Sequence, residues 1–295
     1  MSFWNSADEI GEDPNAPRAP VSHAGIPAAA AALTGVMSFN CTPEAIESAL
    51  SADDVACAIL EPALMNCGIV LPLAGFLESV AAACELHGTL LILDEVKTGL
   101  TVTAGSAVQL LAPTVKPDMV TLGKSLGGGL PIGAVGMNEA LAAQVKSGAP
   151  DIVSTTGGNA LVMSAARVTL EGVLLDDAYV QLSQLNERLQ QGLREVIARH
   201  EVPASVVGCG AAKGCLFFFG HGKQPTVINN YRQVLERVDA EIAELCALWL
   251  ASCGCWIGTT GDEEWTISVA HTEGDVDLFI QAFEGFAVAL KTVAW

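Results

Sequence analysis

Three short apolar runs, each closing on polar residues, constrain this chain more than any other feature. Residues 56–60 (Ala-Cys-Ala-Ile-Leu) lead into Glu61-Pro62, residues 89–93 (Thr-Leu-Leu-Ile-Leu) into Asp94-Glu95, and residues 119–122 (Met-Val-Thr-Leu) into Gly123-Lys124. Near-continuous apolar runs of this length mark strands buried on both faces. Between them, residues 73–87 have helical apolar spacing and residues 106–111 read as a short helix. A fourth strand over residues 131–137 and a helix over 138–146 follow. Strands alternating with helices predict an α/β domain around a mainly parallel sheet. Ligands in open α/β sheets bind beyond the carboxyl ends of the strands. Glu61, Asp94 and Lys124 are therefore expected around one crevice. Singly, each reads as a structural ion pair or a turn; together with the glycines after Lys124, they read as a site.

Beyond Asn159 the pattern turns helical, with amphipathic helices over residues 160–174 and 179–200. Residues 214–219 and 265–269 then read as strands, and residues 231–250 and 275–293 as helices. Thr42 heads a helix reaching residue 50, and the acidic residues 1–20 read as a loop. A boundary near residues 175–177 divides the chain into a large α/β domain, residues 1–175, and a smaller α+β domain, residues 176–295.

Composition narrows the function classes. Fourteen basic residues against 33 acidic ones leave a net charge of −19 on 295 residues, which argues against nucleic acid and anionic membranes as partners. The mean hydropathy of +0.43 calls for a check on membrane spans. The longest apolar stretches, residues 25–40 and 246–258, are interrupted and fall short of the roughly 18–20 residues a span needs. Residues 1–14 carry four acidic and no basic side chains, unlike a signal peptide. A soluble, cytoplasmic protein with a large buried interface is expected. The nine cysteines form no CxxC pair and the five histidines no HxxxH pair, so reduced core thiols and ordinary histidines are expected, and no metal.

The string Pro117-Asp118-Met119-Val120-Thr121-Leu122-Gly123-Lys124-Ser125-Leu126-Gly127-Gly128-Gly129 contains Gly-Lys-Ser after a strand, as a phosphate-binding P-loop does. That motif requires glycine where Asp118 stands, and Gly127–Gly129 would break the helix that must hold the phosphate. The string instead resembles the lysine segment of class III, fold-type I, pyridoxal-phosphate (PLP) aminotransferases. Glu61-Pro62-Ala63-Leu64-Met65-Asn66-Cys67-Gly68 resembles the family's Glu-Pro segment, Leu91–Gly99 its Asp-Glu-Val segment, and Ser154–Ala160 its threonine loop. Ser268-Val269-Ala270-His271-Thr272 is similar to a string of the glutamate-1-semialdehyde aminomutase branch. The ordered set covers nearly the whole chain.

The resemblance implies a fold-type I large domain and a PLP-dependent aminotransferase or aminomutase, acting as a homodimer on a small amino donor and acceptor. It assigns Lys124 to a Schiff base with the cofactor aldehyde and to moving the substrate proton. It sets Asp94 against the pyridine nitrogen, Val96 on a ring face and Asn66 near the ring hydroxyl. Thr155 is implied to reach the phosphate of the neighbouring subunit's cofactor. For Asn66 and Thr155 a loop hydrogen bond is an equal alternative. His271 reads as structural, and Glu263 is a weak match to a glutamate of the aminomutase branch.

Several positions depart from the family. The family's phosphate-holding Gly/Ser loop and ring-stacking aromatic precede the matched region, and if Phe3-Trp4-Asn5 follows that aromatic motif, Met1 takes the tyrosine position. Leu100-Thr101 stands where Phe-Arg is usual, and no arginine follows Arg237. Lys97 occupies a place that is usually uncharged; a salt bridge, a ring-hydroxyl contact and solvent are all open to it. An N-terminally truncated or split homologue, working as a partner subunit with little activity alone, is therefore the alternative expectation.

Overall fold

The computed structural model describes residues 25–52, 54–148, 150, 154–220, 223–257 and 264–292. The acidic loop expected over residues 1–20, with Met1, Phe3, Trp4 and Asn5, and also His23, His221 and Glu263, lie outside the described residues.

After a single turn, α1 (Ala28–Ala31), the helix α2 (Pro43–Leu50) starts where its capping residue predicts. The Thr42 hydroxyl accepts from the Ala45 N–H at 3.3 Å, and proline occupies the first turn, where its missing N–H is harmless. Then come β1 (Cys57–Leu60), α3 (Phe76–His87), β2 (Leu90–Asp94), α4 (Val108–Leu111) and β3 (Met119–Gly123). A 3-10 turn over Lys124–Gly127 leads to β4 (Gly133–Met137) and α5 (Glu139–Lys146). The four strands form one sheet in the order β1-β2-β3-β4. β1, β2 and β3 run parallel, which gathers their carboxyl ends on one edge, and β4 returns antiparallel to β3. The mainly parallel α/β sheet is thus as expected.

α6 (Ala160–Val168) passes into a π-helical turn over Thr169–Val173, where one continuous helix was expected. The Thr169 hydroxyl donates to the Ala165 carbonyl at 3.0 Å, a back-bond of the kind that bends helices. α7 (Asp176–His200) buries Leu182, Leu185, Leu189, Leu193 and Val196 at helical spacing. A second, antiparallel sheet contains β5 (Ala204–Cys209), β6 (Lys213–Phe218) and the two-residue β7 (Trp265–Thr266). β5 escaped the sequence reading, and β7 is shorter than predicted. Gly210, at φ +62°, makes the β5–β6 turn; a Cβ there would collide with the Val102 carbonyl oxygen.

The helix expected over residues 231–250 is two: α8 (Tyr231–Arg237) and α9 (Ala240–Ser252). Between them Val238 is extended and bridges Phe219, while Asp239 caps α9 by accepting from the Ile242 N–H. Backbone pairing with the second sheet wins over helix continuity there. α10 (Glu273–Thr292) closes the chain's described part.

Alternation along β6 explains how the two sheets are joined. Cys215 and Phe217 enter the core that holds Ile46, Met65, Val80 and Leu93 around the first sheet. Phe218 enters the core formed by α7, α9 and α10 with Leu193, Leu250 and Phe283. The second sheet therefore shares one face with each core. Seven of the nine free cysteines are buried and behave as core thiols; Cys57 and Cys253 are exposed. No described helix is long and apolar enough to cross a membrane.

Candidate active site

The carboxyl edge of the first sheet brings together four of the five residues singled out for a site. Asp94 ends β2 opposite Thr121 of β3. The Thr121 hydroxyl donates to Asp94 Oδ1 at 2.9 Å, and the Val96 N–H donates to the same oxygen at 3.1 Å. Two donors on one oxygen hold the carboxylate in one orientation. Val96 packs beside Gly123: a Cβ at Gly123 would lie 3.5 Å from Val96 Cγ1. The turn that carries Asp94 is therefore in contact with the strand end that carries Lys124.

Lys124 is exposed and follows β3 directly, at φ +48°. A side chain rarely adopts this left-handed conformation, which costs on the order of 1–3 kcal/mol and concentrates at functional sites. Extended Gly123 precedes it, and left-handed Gly128 ends the turn that follows.

Asn66 is exposed on the loop after β1, where its amide donates to Glu61 Oε1 at 3.2 Å. The Met65 N–H donates to Glu61 Oε2, also at 3.2 Å. Burial pushes the Glu61 carboxyl up to about 7 against the Asn66 bond, with the neighbouring Asp94 charge raising it further and Lys97 opposing. Thr155 is exposed in the loop that Asn159 closes as the cap of α6. No hydrogen bond or ion pair among the described residues joins Thr155 to the other four.

The structure resolves the alternatives for Lys97 in favour of a buried ion pair. Its ammonium lies 3.0 Å from Glu264 Oε2 and donates to the Met65 carbonyl at 2.8 Å. Lys213 takes the other oxygen of Glu264 at 2.9 Å and donates to the Thr266 hydroxyl at 2.7 Å. The three charged side chains are between 4% and 9% exposed. Burial pulls the Lys213 ammonium down from its usual range; Glu264 opposes this, while Lys97 and Lys124 add repulsion. This Lys–Glu–Lys group ties the loop carrying Asn66 to the start of β6 and β7.

Sequence reasoning missed Lys213, Glu264 and Thr121. A lone lysine inside the apolar run Ala211–Phe219 was a usable signal, because a buried charge needs a partner. Glu264 stands beside Glu263, the weak match to a glutamate of the aminomutase branch. His271 holds a turn, as expected, its Nδ1 accepting from the Ser268 N–H at 2.9 Å.

The sequence matches the family described as Aminotransferase class-III over residues 13–270. It is 35% identical over 261 residues to a glutamate-1-semialdehyde 2,1-aminomutase 2 of Brevibacillus brevis, covering 88% of this chain and 58% of that protein. It is 36% identical over 265 residues to a glutamate-1-semialdehyde 2,1-aminomutase of Thermus thermophilus, covering 88% of this chain and 60% of that one. Among solved structures, a glutamate-1-semialdehyde-aminomutase from Pseudomonas aeruginosa PAO1 in complex with PMP superposes with a TM-score of 0.81 at 26% identity, covering 93% of this chain and 60% of that one. The chain thus spans about three fifths of the length of these relatives. The likeness bears out the expected fold-type I architecture.

Proposed function

The chain belongs to the class-III aminotransferase family, and on that premise we propose that it carries out PLP-dependent amino-group transfer, as an aminotransferase or aminomutase, with Lys124 as its reactive lysine. The observation that carries this reading is the pairing of two strand ends: Asp94, oriented by Thr121 and Val96, beside the strand that leads into Lys124. These residues suit the cofactor, since a held carboxylate can accept from a protonated ring nitrogen while a lysine at the next strand end reaches its aldehyde. When bound, PLP supplies an electron sink for the negative charge left on the substrate carbon. Lys124 Nζ would take the proton from that carbon and deliver it to the carbon that had been the cofactor's aldehyde, the shift that moves the amino group rather than racemising the substrate. Asp94 would fix the ring, Val96 would support one face, and Asn66 would lie near the ring hydroxyl. Glu61 and Lys97 hold the Asn66 loop from two sides.

The proposal extends to a cytoplasmic homodimer in which Thr155 serves the neighbouring subunit's cofactor, and to a division of the chain at residue 175. Protein purified with excess PLP is expected to show the visible absorbance of lysine-bound cofactor, fixed by borohydride on Lys124 and lost in Lys124→Ala. Absence of that absorbance would reject the reading. A full cofactor signal with no turnover of any amino donor would favour the alternative, a partner subunit with little activity alone.

A further inference from the structure

Lys124 is followed by Ser125, whose hydroxyl oxygen is buried and has no hydrogen-bond partner among the described residues. Such a group costs on the order of 1–3 kcal/mol when left unpaired. Ser125 lines a cavity of about 740 Å³, within the size range of small-molecule sites. Thr101 and Thr266 also line it, and Leu161, Val168 and Leu182 contribute apolar wall. Its lining residues include no charged side chain. Lys213, which donates to the Thr266 hydroxyl at 2.7 Å, is already paired with Glu264. A carboxylate entering the cavity would leave water without gaining a counter-ion, which is strongly unfavourable. An uncharged apolar group loses nothing there and gains about 25 cal/mol for each Å² it buries.

We propose that this cavity is the subsite for the substrate's side group, and that it takes a bulky, uncharged, mainly apolar group whose single polar atom pairs with Ser125. The substrate is then an amine or amino acid with an aryl or long alkyl substituent, and not one with a second carboxylate. The assignment rests on amino-group transfer at Lys124. The unpartnered hydroxyl argues for a small molecule as the occupant, because a purely apolar covering would leave it unpaired.

Calorimetric titration of the full chain without cofactor tests the cavity by itself. The probes are 4-phenyl-1-butanol and 5-hydroxypentanoate, which share a hydroxyl and differ in the far group. The phenyl alcohol is expected to bind at least about tenfold tighter, a difference of about 1.4 kcal/mol. Ser125→Ala is expected to weaken it about fivefold, as loss of one hydrogen bond does. Ala165→Phe, which fills the wall on α6, is expected to abolish binding. Should that variant not fold, Val168→Phe at the partly exposed rim replaces it, with a loss of at least about fivefold. Equal or tighter binding of 5-hydroxypentanoate, or unchanged affinity in the filled variant, overturns the proposal. So does probe binding that vanishes as protein concentration rises, since a second copy would then be covering the cavity. The cofactor absorbance of the wild-type protein decides the activity reading separately, so the two can fail independently.

Discussion

Replacing Glu61 by glutamine should flatten one component of the pH dependence of folding. The carboxyl titrates at about 7 in the fold against an ordinary 4.5, chiefly because it is buried and stands beside Asp94. Its acid form is the one the fold favours. The stability it contributes is fully present below about pH 4.5 and is lost as the pH rises through about 7. The full difference between those two values corresponds to about 3 kcal/mol, and partial exposure of the group brings the expectation to about 2 kcal/mol. Glutamine also has a cost. Glu61 accepts from Met65 N–H and from the Asn66 amide on separate oxygens, and glutamine has one acceptor for the two donors. That loses about 1 kcal/mol at every pH. Urea unfolding of both proteins should therefore give curves that cross: the variant less stable by about 1 kcal/mol near pH 4 and more stable by about 1 kcal/mol near pH 8.5. Taking the difference between the two proteins cancels the titrating groups that do not interact with Glu61. Parallel profiles would show that Glu61 titrates at its ordinary value and would refute the account of its burial.

Three further outcomes follow from the same geometry. Glu95 is fully buried and accepts from the hydroxyls of Thr98 and Ser106 and from the N–H groups of Ala107 and Val108; Glu95→Ala should lose at least about 3 kcal/mol in urea unfolding, and a loss below about 1 kcal/mol would contradict its role as the cap of α4. Glu264→Leu removes the carboxylate shared by Lys97 and Lys213 and should cost about 3–5 kcal/mol; a thermal midpoint equal to that of the parent protein would refute the buried pairing. Lys124→Gly relieves the left-handed backbone at φ +48° and should raise stability by about 1 kcal/mol while abolishing borohydride-fixed cofactor; a less stable variant would show that Lys124 is not strained.

Local chemistry made much of this protein legible in advance. The apolar runs ending in Glu61, Asp94 and Lys124 became β1, β2 and β3, because a strand buried on both faces must be apolar along its whole length. Thr42, Asn138 and Asn159 cap α2, α5 and α6, since an N-cap acts within its own turn. The parallel course of the strands then put Asp94 and Lys124 on one edge, where their residue types support the chemistry proposed. What escaped was whatever depends on partners far along the chain. β5 has a mixed sequence that becomes a strand only when β6 pairs with it. The break between α8 and α9 exists because Val238 bridges Phe219 of the second sheet. Lys97 alone was compatible with three environments; Glu264, 167 residues away, selects one. The raised titration of Glu61 likewise arises from burial, with the charge of Asp94 on the next strand adding to it. Periodicity, capping and strand-end chemistry are short-range and written in neighbouring residues. Ion pairing, burial and cavity shape depend on contacts between distant segments, and only the tertiary structure decides them.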